Sequence, residues 1–211
     1  MTPDLTPAVK TLYAAFRRRG RAPVPRGCPC CTTPAEFEHL ASKPLQHLTA
    51  DDLDRYARKA MTTVGHADVF RYFLPRIVEL AVDGSLLVDR EVVFGKLRYG
   101  KWHEWPLYEQ EALEGFARTL AATFATTVYD PRELDEWVCA LARFVDDMTE
   151  TVGPLTSRTP AARENLQALI DHNTDSLGRV ELANAFWDED NPHRDWFIDW
   201  LGRPDVRGAA A

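Results

Sequence analysis

Residues Leu53 to Leu80 constrain the fold more tightly than any other stretch of this 211-residue chain. Leu53, Tyr56, Ala57, Ala60, Met61 and Val64 recur at the spacing of one helical face, while Asp54, Arg55, Arg58 and Lys59 fall on the opposite one. Gly65 can take the left-handed conformation that ends a helix. Beyond it, Val69, Phe70, Phe73, Leu74, Ile77, Leu80 and Ala81 mark a second apolar face. The pattern predicts two amphipathic helices folded back as a hairpin. Pro75 lies inside the second, where it has no N–H to donate and its ring crowds the carbonyl of Arg71, so a kink or restart is expected there.

Elsewhere the helix starts share one chemistry, a side chain able to cap followed by proline at the first helical position. Thr6-Pro7, Thr33-Pro34, Asp130-Pro131, Thr159-Pro160 and Asn191-Pro192 all have this form. Glu36 and Glu133 add the return half of a capping box at two of them. The helices expected from these signals span 6–19, 34–42, 50–64, 67–83, 89–99, 106–127, 131–149, 160–172, 178–187 and 192–201. No alternating strand pattern competes with them. The class that follows is all-α, about nine or ten helices packed as antiparallel hairpins, with starts too irregular for a strict repeat but compatible with a loosely repeat-like stack. Residues 1–211 read as a single domain, with 1–27 an N-terminal helix and Arg/Pro-rich linker and 203–211 a flexible tail.

Charge divides the chain unevenly. Residues 130–211 hold 8 Lys/Arg against 17 Asp/Glu, whereas residues 1–129 hold 17 against 15. An acidic C-terminal third repels phosphate backbones and suits a basic partner, or it is a solvated acidic face. The basic cluster Arg17, Arg18, Arg19, Arg21 and Arg26 has no interleaved aromatic side chains for base stacking, so nucleic acid is not the expected partner. No apolar run reaches the length that spans a bilayer, and the basic residues of the first helix follow its apolar positions, the reverse of a secretory leader. A cytoplasmic protein, monomeric or weakly associating, is the expectation, and the crowding of Cys28, Cys30 and Cys31 away from Cys139 agrees with a reducing compartment.

Four stretches could carry chemistry. Cys28 and Cys31 form a C-x-x-C, and Cys30 with His39 (or His47) would complete a tetrahedral zinc site; the same thiols could serve redox sensing, or pack as small side chains in a loop. The cofactor expectation is accordingly either none or one structural zinc. Gly95 to Lys101 has the spacing of a phosphate loop, but Trp102 stands where a hydroxyl must reach magnesium, and a helix ended by Gly100 explains the same residues. Asp146, Asp147 and Glu150 resemble the aspartate-rich magnesium motif of terpene synthases, yet they also fit the polar end of a helix whose core face is Leu134, Trp137, Val138, Leu141, Phe144, Val145 and Met148. Finally, Trp102, His103, Glu104 and Trp105 form a short connection before Pro106 that could anchor a partner.

The run YARKAMTTVGHADVFRYFLPRIVEL, with the upstream CPCC and the downstream KWHEWPLYEQEA, resembles a family of short, helical bacterial proteins known only as hypothetical proteins. The resemblance covers roughly residues 28 to 125. It implies a helical fold and no activity. With no nucleophile and base in a recognisable arrangement, the leading expectation is a protein-binding or regulatory module, immunity-like in its acidity, with Trp102, His103, Trp105, Arg71 and Arg76 as the candidate binding surface. A zinc or thiol protein is the second reading. An enzyme whose pocket joins Arg71, Arg76, His66 and His103 is the third.

Overall fold

The computed structural model describes residues 4–18, 22–28 and 33–210. Among the described residues ten α-helices and four 3-10 segments supply the regular structure, and β-pairing is confined to isolated bridges. The fold is all-α. No helix among the described residues is long and apolar enough to cross a membrane. By its packing the chain forms two compact units, Leu5–Phe116 and Ala117–Ala211 with Asp4, and the division falls inside one helix.

In the N-terminal unit, α1 (Thr6–Ala15) and α2 (Ala50–Lys59) both pack on α3 (Ala67–Val82), and α4 (Arg90–Tyr99) packs on α2. A 3-10 segment, Pro34–Ala41, also packs on α2, and α5 (Leu107–Thr123) follows the short 3-10 turn Trp102–Glu104. The hairpin expected around Gly65 is present, with its first helix shortened. Its start is fixed by a reciprocal cap, Asp52 N–H donating to Thr49 Oγ1 at 3.2 Å and Thr49 N–H to Asp52 Oδ2 at 2.9 Å.

The end of α2 falls at Lys59 rather than near Val64. Met61 takes a left-handed φ of 62°, and Lys96 of α4 donates to the carbonyls of Arg58 at 3.1 Å and Ala60 at 3.0 Å. An ammonium from another helix thus satisfies carbonyls that the helix end leaves open. Burial pushes the Lys96 amine below its ordinary value. Gly65, at φ 71°, then turns the chain into α3, which runs as one helix through Pro75. Tyr56, Phe70, Phe73, Phe94 and Phe116 fill the core of this unit, Tyr56 and Phe73 with centroids 4.9 Å apart.

In the C-terminal unit, α6 (Pro131–Ala142) packs on α8 (Pro160–His172), and α10 (Pro204–Ala210) packs on α8 and α9 (Arg194–Gly202). Two of the three expected caps operate: Asp130 Oδ1 accepts from the N–H groups of Arg132 and Glu133, and Thr159 Oγ1 from that of Ala162, whereas Asn191 Oδ1 accepts from the N–H of His193 and α9 starts beyond it, at Arg194. The helix expected over 131–149 instead breaks after Ala142 and restarts as α7 (Met148–Val152), because Asp147 turns its carboxylate onto the N–H of Thr149 at 2.8 Å and starts a new helix.

Two further expectations are corrected here. The segment 178–187 is not a helix. Asp175 Oδ1 accepts from the N–H groups of Leu177 and Arg179, Asn173 Oδ1 accepts from that of Ala183, and Gly178 sits at φ 78°, so short polar side chains take the donors a helix would need. The segment expected to be a flexible tail is α10, held by the buried Val206.

Candidate functional site

The zinc reading depends on Cys30 and Cys31, which lie outside the described residues. Cys28 is exposed, and its N–H donates to Thr63 O at 3.2 Å. His39 is exposed, with Nε2 3.0 Å from Asp52 O. Among the described residues no three His, Cys, Asp or Glu side chains are grouped to hold a metal ion. The spacing resembling a phosphate loop is helix α4 closed by Gly100, and Asp147 is the cap of α7, its carboxyl held below the ordinary value by Thr149.

The tryptophan connection is built from the inside outward. Trp102 and Trp105 are both buried, and Trp105 Nε1 donates to Gly100 O at 2.9 Å. Gln110 Nε2 donates to His103 O at 2.9 Å and to Trp105 O at 2.6 Å, tying the connection to the first turns of α5. The Arg71 guanidinium lies 5.5 Å over the Trp105 ring, and Phe16 meets the same ring edge-on at 6.0 Å. His103 is exposed, and its ring lies tilted by 36° against that of Trp102 with centroids 4.1 Å apart.

Both arginines of the expected surface are engaged internally. Arg71 Nε and Nη2 donate to the two oxygens of Glu109 at 2.7 and 2.9 Å, and Arg18 Nη2 donates to Glu109 Oε1 at 2.8 Å. The Glu109 side chain is 0% exposed. Burial opposes the charge on Arg71, but the Glu109 hydrogen bonds and charge outweigh it and hold the guanidinium above its ordinary value. Arg76 goes to a different acid, Glu79 Oε2 at 2.6 Å, and to Leu48 O at 2.7 Å. Tyr13 donates to the same Glu79 oxygen, and burial followed by that carboxylate pushes its phenol well above the ordinary tyrosine value. His66 occupies the N-cap position of α3. The structure therefore brings Arg71 to Trp105 and sends Arg76 elsewhere.

What this scaffold displays are three residues that the sequence did not single out. Tyr99, Leu107 and Tyr108 are 64%, 67% and 53% exposed, at the two ends of the pinned connection. Leu107 and Tyr108 sit off the stripe formed by Leu113, Phe116 and Leu120, and that phase was the available signal.

The C-terminal unit holds a second feature, a groove of about 660 Å³ lined by Arg158, Arg163, Arg203, Trp196, Trp200 and Val152, among others. The Trp196 and Trp200 rings lie nearly parallel, 11° apart, with centroids at 6.3 Å. Deeper in this unit Asp135 is fully buried, accepting from Asn173 Nδ2 at 2.9 Å and Trp187 Nε1 at 3.3 Å on one oxygen, while Oδ2 has no partner among the described residues. Burial pushes its carboxyl above the ordinary value.

The chain matches no protein-family model, no curated protein and no solved structure. The site geometry is therefore the whole basis for a functional reading.

Proposed function

We propose that the protein is a binding module that acts in the cytoplasm by holding another protein, with the surface around residues 99–108 as its contact. The observation that carries the reading is the exposure of Tyr99, Leu107 and Tyr108 on a connection that two buried tryptophans and Gln110 fix in place. Large apolar side chains presented by a rigid support lose little entropy on binding, and tyrosine is a frequent anchor of protein interfaces. The formal net charge of −7 over the whole chain favours a basic partner. In this reading Trp102, Trp105 and Arg71 support the surface, and His103 belongs to it.

The test is affinity capture from the native cell with the wild-type chain and a Tyr99→Ser/Leu107→Ser variant. A protein recovered by the wild type and lost from the variant, with both chains equally helical by circular dichroism, supports the reading. Equal recovery by both rejects this surface. The wild-type complex should also weaken as salt is raised if the partner is basic.

A further inference from the structure

We propose that the groove of the C-terminal unit is a binding site for a phosphate monoester that carries a planar ring. The site lies among α7 and its following 3-10 turn (Gly153–Thr156), the start of α8, and helices α9 and α10. Its volume of about 660 Å³ suits a small organic molecule.

The charge argument comes first. Arg158 and Arg163 line the groove, both are exposed, and neither side chain has a hydrogen-bond or ion-pair partner among the described residues. Arg203 also lines it but is neutralised by Asp205 at 2.6 Å, the one acid among the described lining residues. The groove thus carries two uncompensated positive charges inside a segment that is otherwise strongly acidic. They match the charge of about −1.5 to −2 on a phosphate monoester at neutral pH better than the single charge of a carboxylate. Guanidinium forks also fit phosphate oxygens in pairs.

Local electrostatics make the same arrangement unfavourable while the groove is empty. Arg158 precedes the cap Thr159 and Arg163 follows it within the first turn or so, so two cations flank the positive end of a 13-residue helix with no acid in its first turn. A bound dianion would relieve this placement.

The second half of the ligand is read from the indoles. Trp200 is buried, with its ring nearly parallel to those of Trp196 and Phe197, whereas Trp196 is half-buried and lines the groove. Val152 and Val206 continue the apolar wall. A planar ring placed against this wall, with its phosphate at Arg158 and Arg163, uses both halves of the groove.

The experiment is calorimetric titration of the full chain with phenyl phosphate and adenosine 5′-monophosphate, with inorganic phosphate and benzoate alongside. The expected result is saturable binding of at least one of the two ring-bearing phosphates, one per chain. Inorganic phosphate and benzoate should each bind at least about tenfold more weakly, since each lacks one half of the recognised chemistry. Arg158→Gln and Arg163→Gln should each weaken binding by about tenfold or more, the loss of one charge-assisted contact, with circular dichroism unchanged. The proposal is overturned by no saturation with either ring-bearing phosphate, by unchanged affinity in both variants, or by equal affinity for benzoate or for inorganic phosphate. None of these outcomes bears on the 99–108 surface, which belongs to the other unit.

Discussion

Replacing Glu109 with glutamine should destabilise the N-terminal unit by about 3 kcal/mol, near the lower end of the range for breaking a buried ion pair. Glu109 is 0% exposed and accepts three guanidinium hydrogen bonds of 2.7, 2.9 and 2.8 Å from Arg71 and Arg18. Glutamine keeps the volume, so no cavity opens, but it removes the negative charge and turns one acceptor into a donor facing a guanidinium. Two features hold the penalty down. Arg18 is one-third exposed and can be hydrated, and Arg71 retains Asp68 at 2.7 Å. The assay is urea unfolding followed by tryptophan emission, since Trp102 and Trp105 lie in the same unit. With a slope of about 2 kcal/mol/M the midpoint should fall by about 1.5 M. Arg132→Ala, which removes an exposed pair with Glu136 at 3.0 Å, is the control and should change stability by less than about 0.5 kcal/mol. A Glu109→Gln variant as stable as that control would refute the view that this buried carboxylate organises Arg71 and Arg18.

Three other substitutions test separate parts of the packing. Tyr56 is fully buried and its hydroxyl has no partner among the described residues, so Tyr56→Phe should be neutral or stabilising by up to about 1 kcal/mol in the same assay, and a marked loss would mean the hydroxyl is bonded. A Cβ at Gly100 would meet Met61 Sδ at 3.0 Å and Lys96 O at 3.1 Å, whereas one at Gly115 meets nothing within 4 Å. Gly100→Ala should therefore cost about 1–3 kcal/mol and Gly115→Ala, inside α5, should stabilise by about 0.5–1 kcal/mol; the reverse order would contradict the packing described. Asp135 has its folded pKa raised by burial above the ordinary 3.8, so its contribution is fully present below that value and is lost as pH rises through the folded pKa. Wild-type stability should accordingly fall relative to Asp135→Asn between pH 4 and pH 7, and a constant difference across that range would show that Asp135 ionises as it does when unfolded.

The sequence revealed the helices best where periodicity and caps agreed. The hairpin on Leu53 to Leu80, the Asp130-Pro131 start and the Thr159-Pro160 start all appear in the structure, because a stripe of large apolar residues and a capping side chain each favour the same local geometry. Boundaries failed where a polar side chain outside the apolar periodicity decided them, near in sequence or far. The early end of α2 depends on Lys96, thirty-odd residues away, and the loss of the 178–187 helix depends on Asn173 and Asp175 competing for backbone donors.

The candidate sites were legible to a lesser degree. Glu109 stands on the apolar stripe of α5, in phase with Leu113 and Phe116, a placement that calls for a buried cationic partner. Which arginines supply it cannot be read from spacing, since Arg18 and Arg71 lie 91 and 38 residues away. The groove in the C-terminal unit shows the same limit. Arg158 and Arg163 around a helix start are a visible anomaly, but their meeting with Trp196 depends on how α9 returns to α8.

The central claim, that the surface at 99–108 holds a protein, is tested most directly by photo-crosslinking in the native cell. A benzophenone side chain at Leu107 should give one discrete heavier species, absent when the same group is placed at exposed Glu164 in the C-terminal unit and lost when Tyr99→Ser is added. Indistinguishable patterns from Leu107 and Glu164, or a product at Leu107 that survives Tyr99→Ser undiminished, would contradict the account.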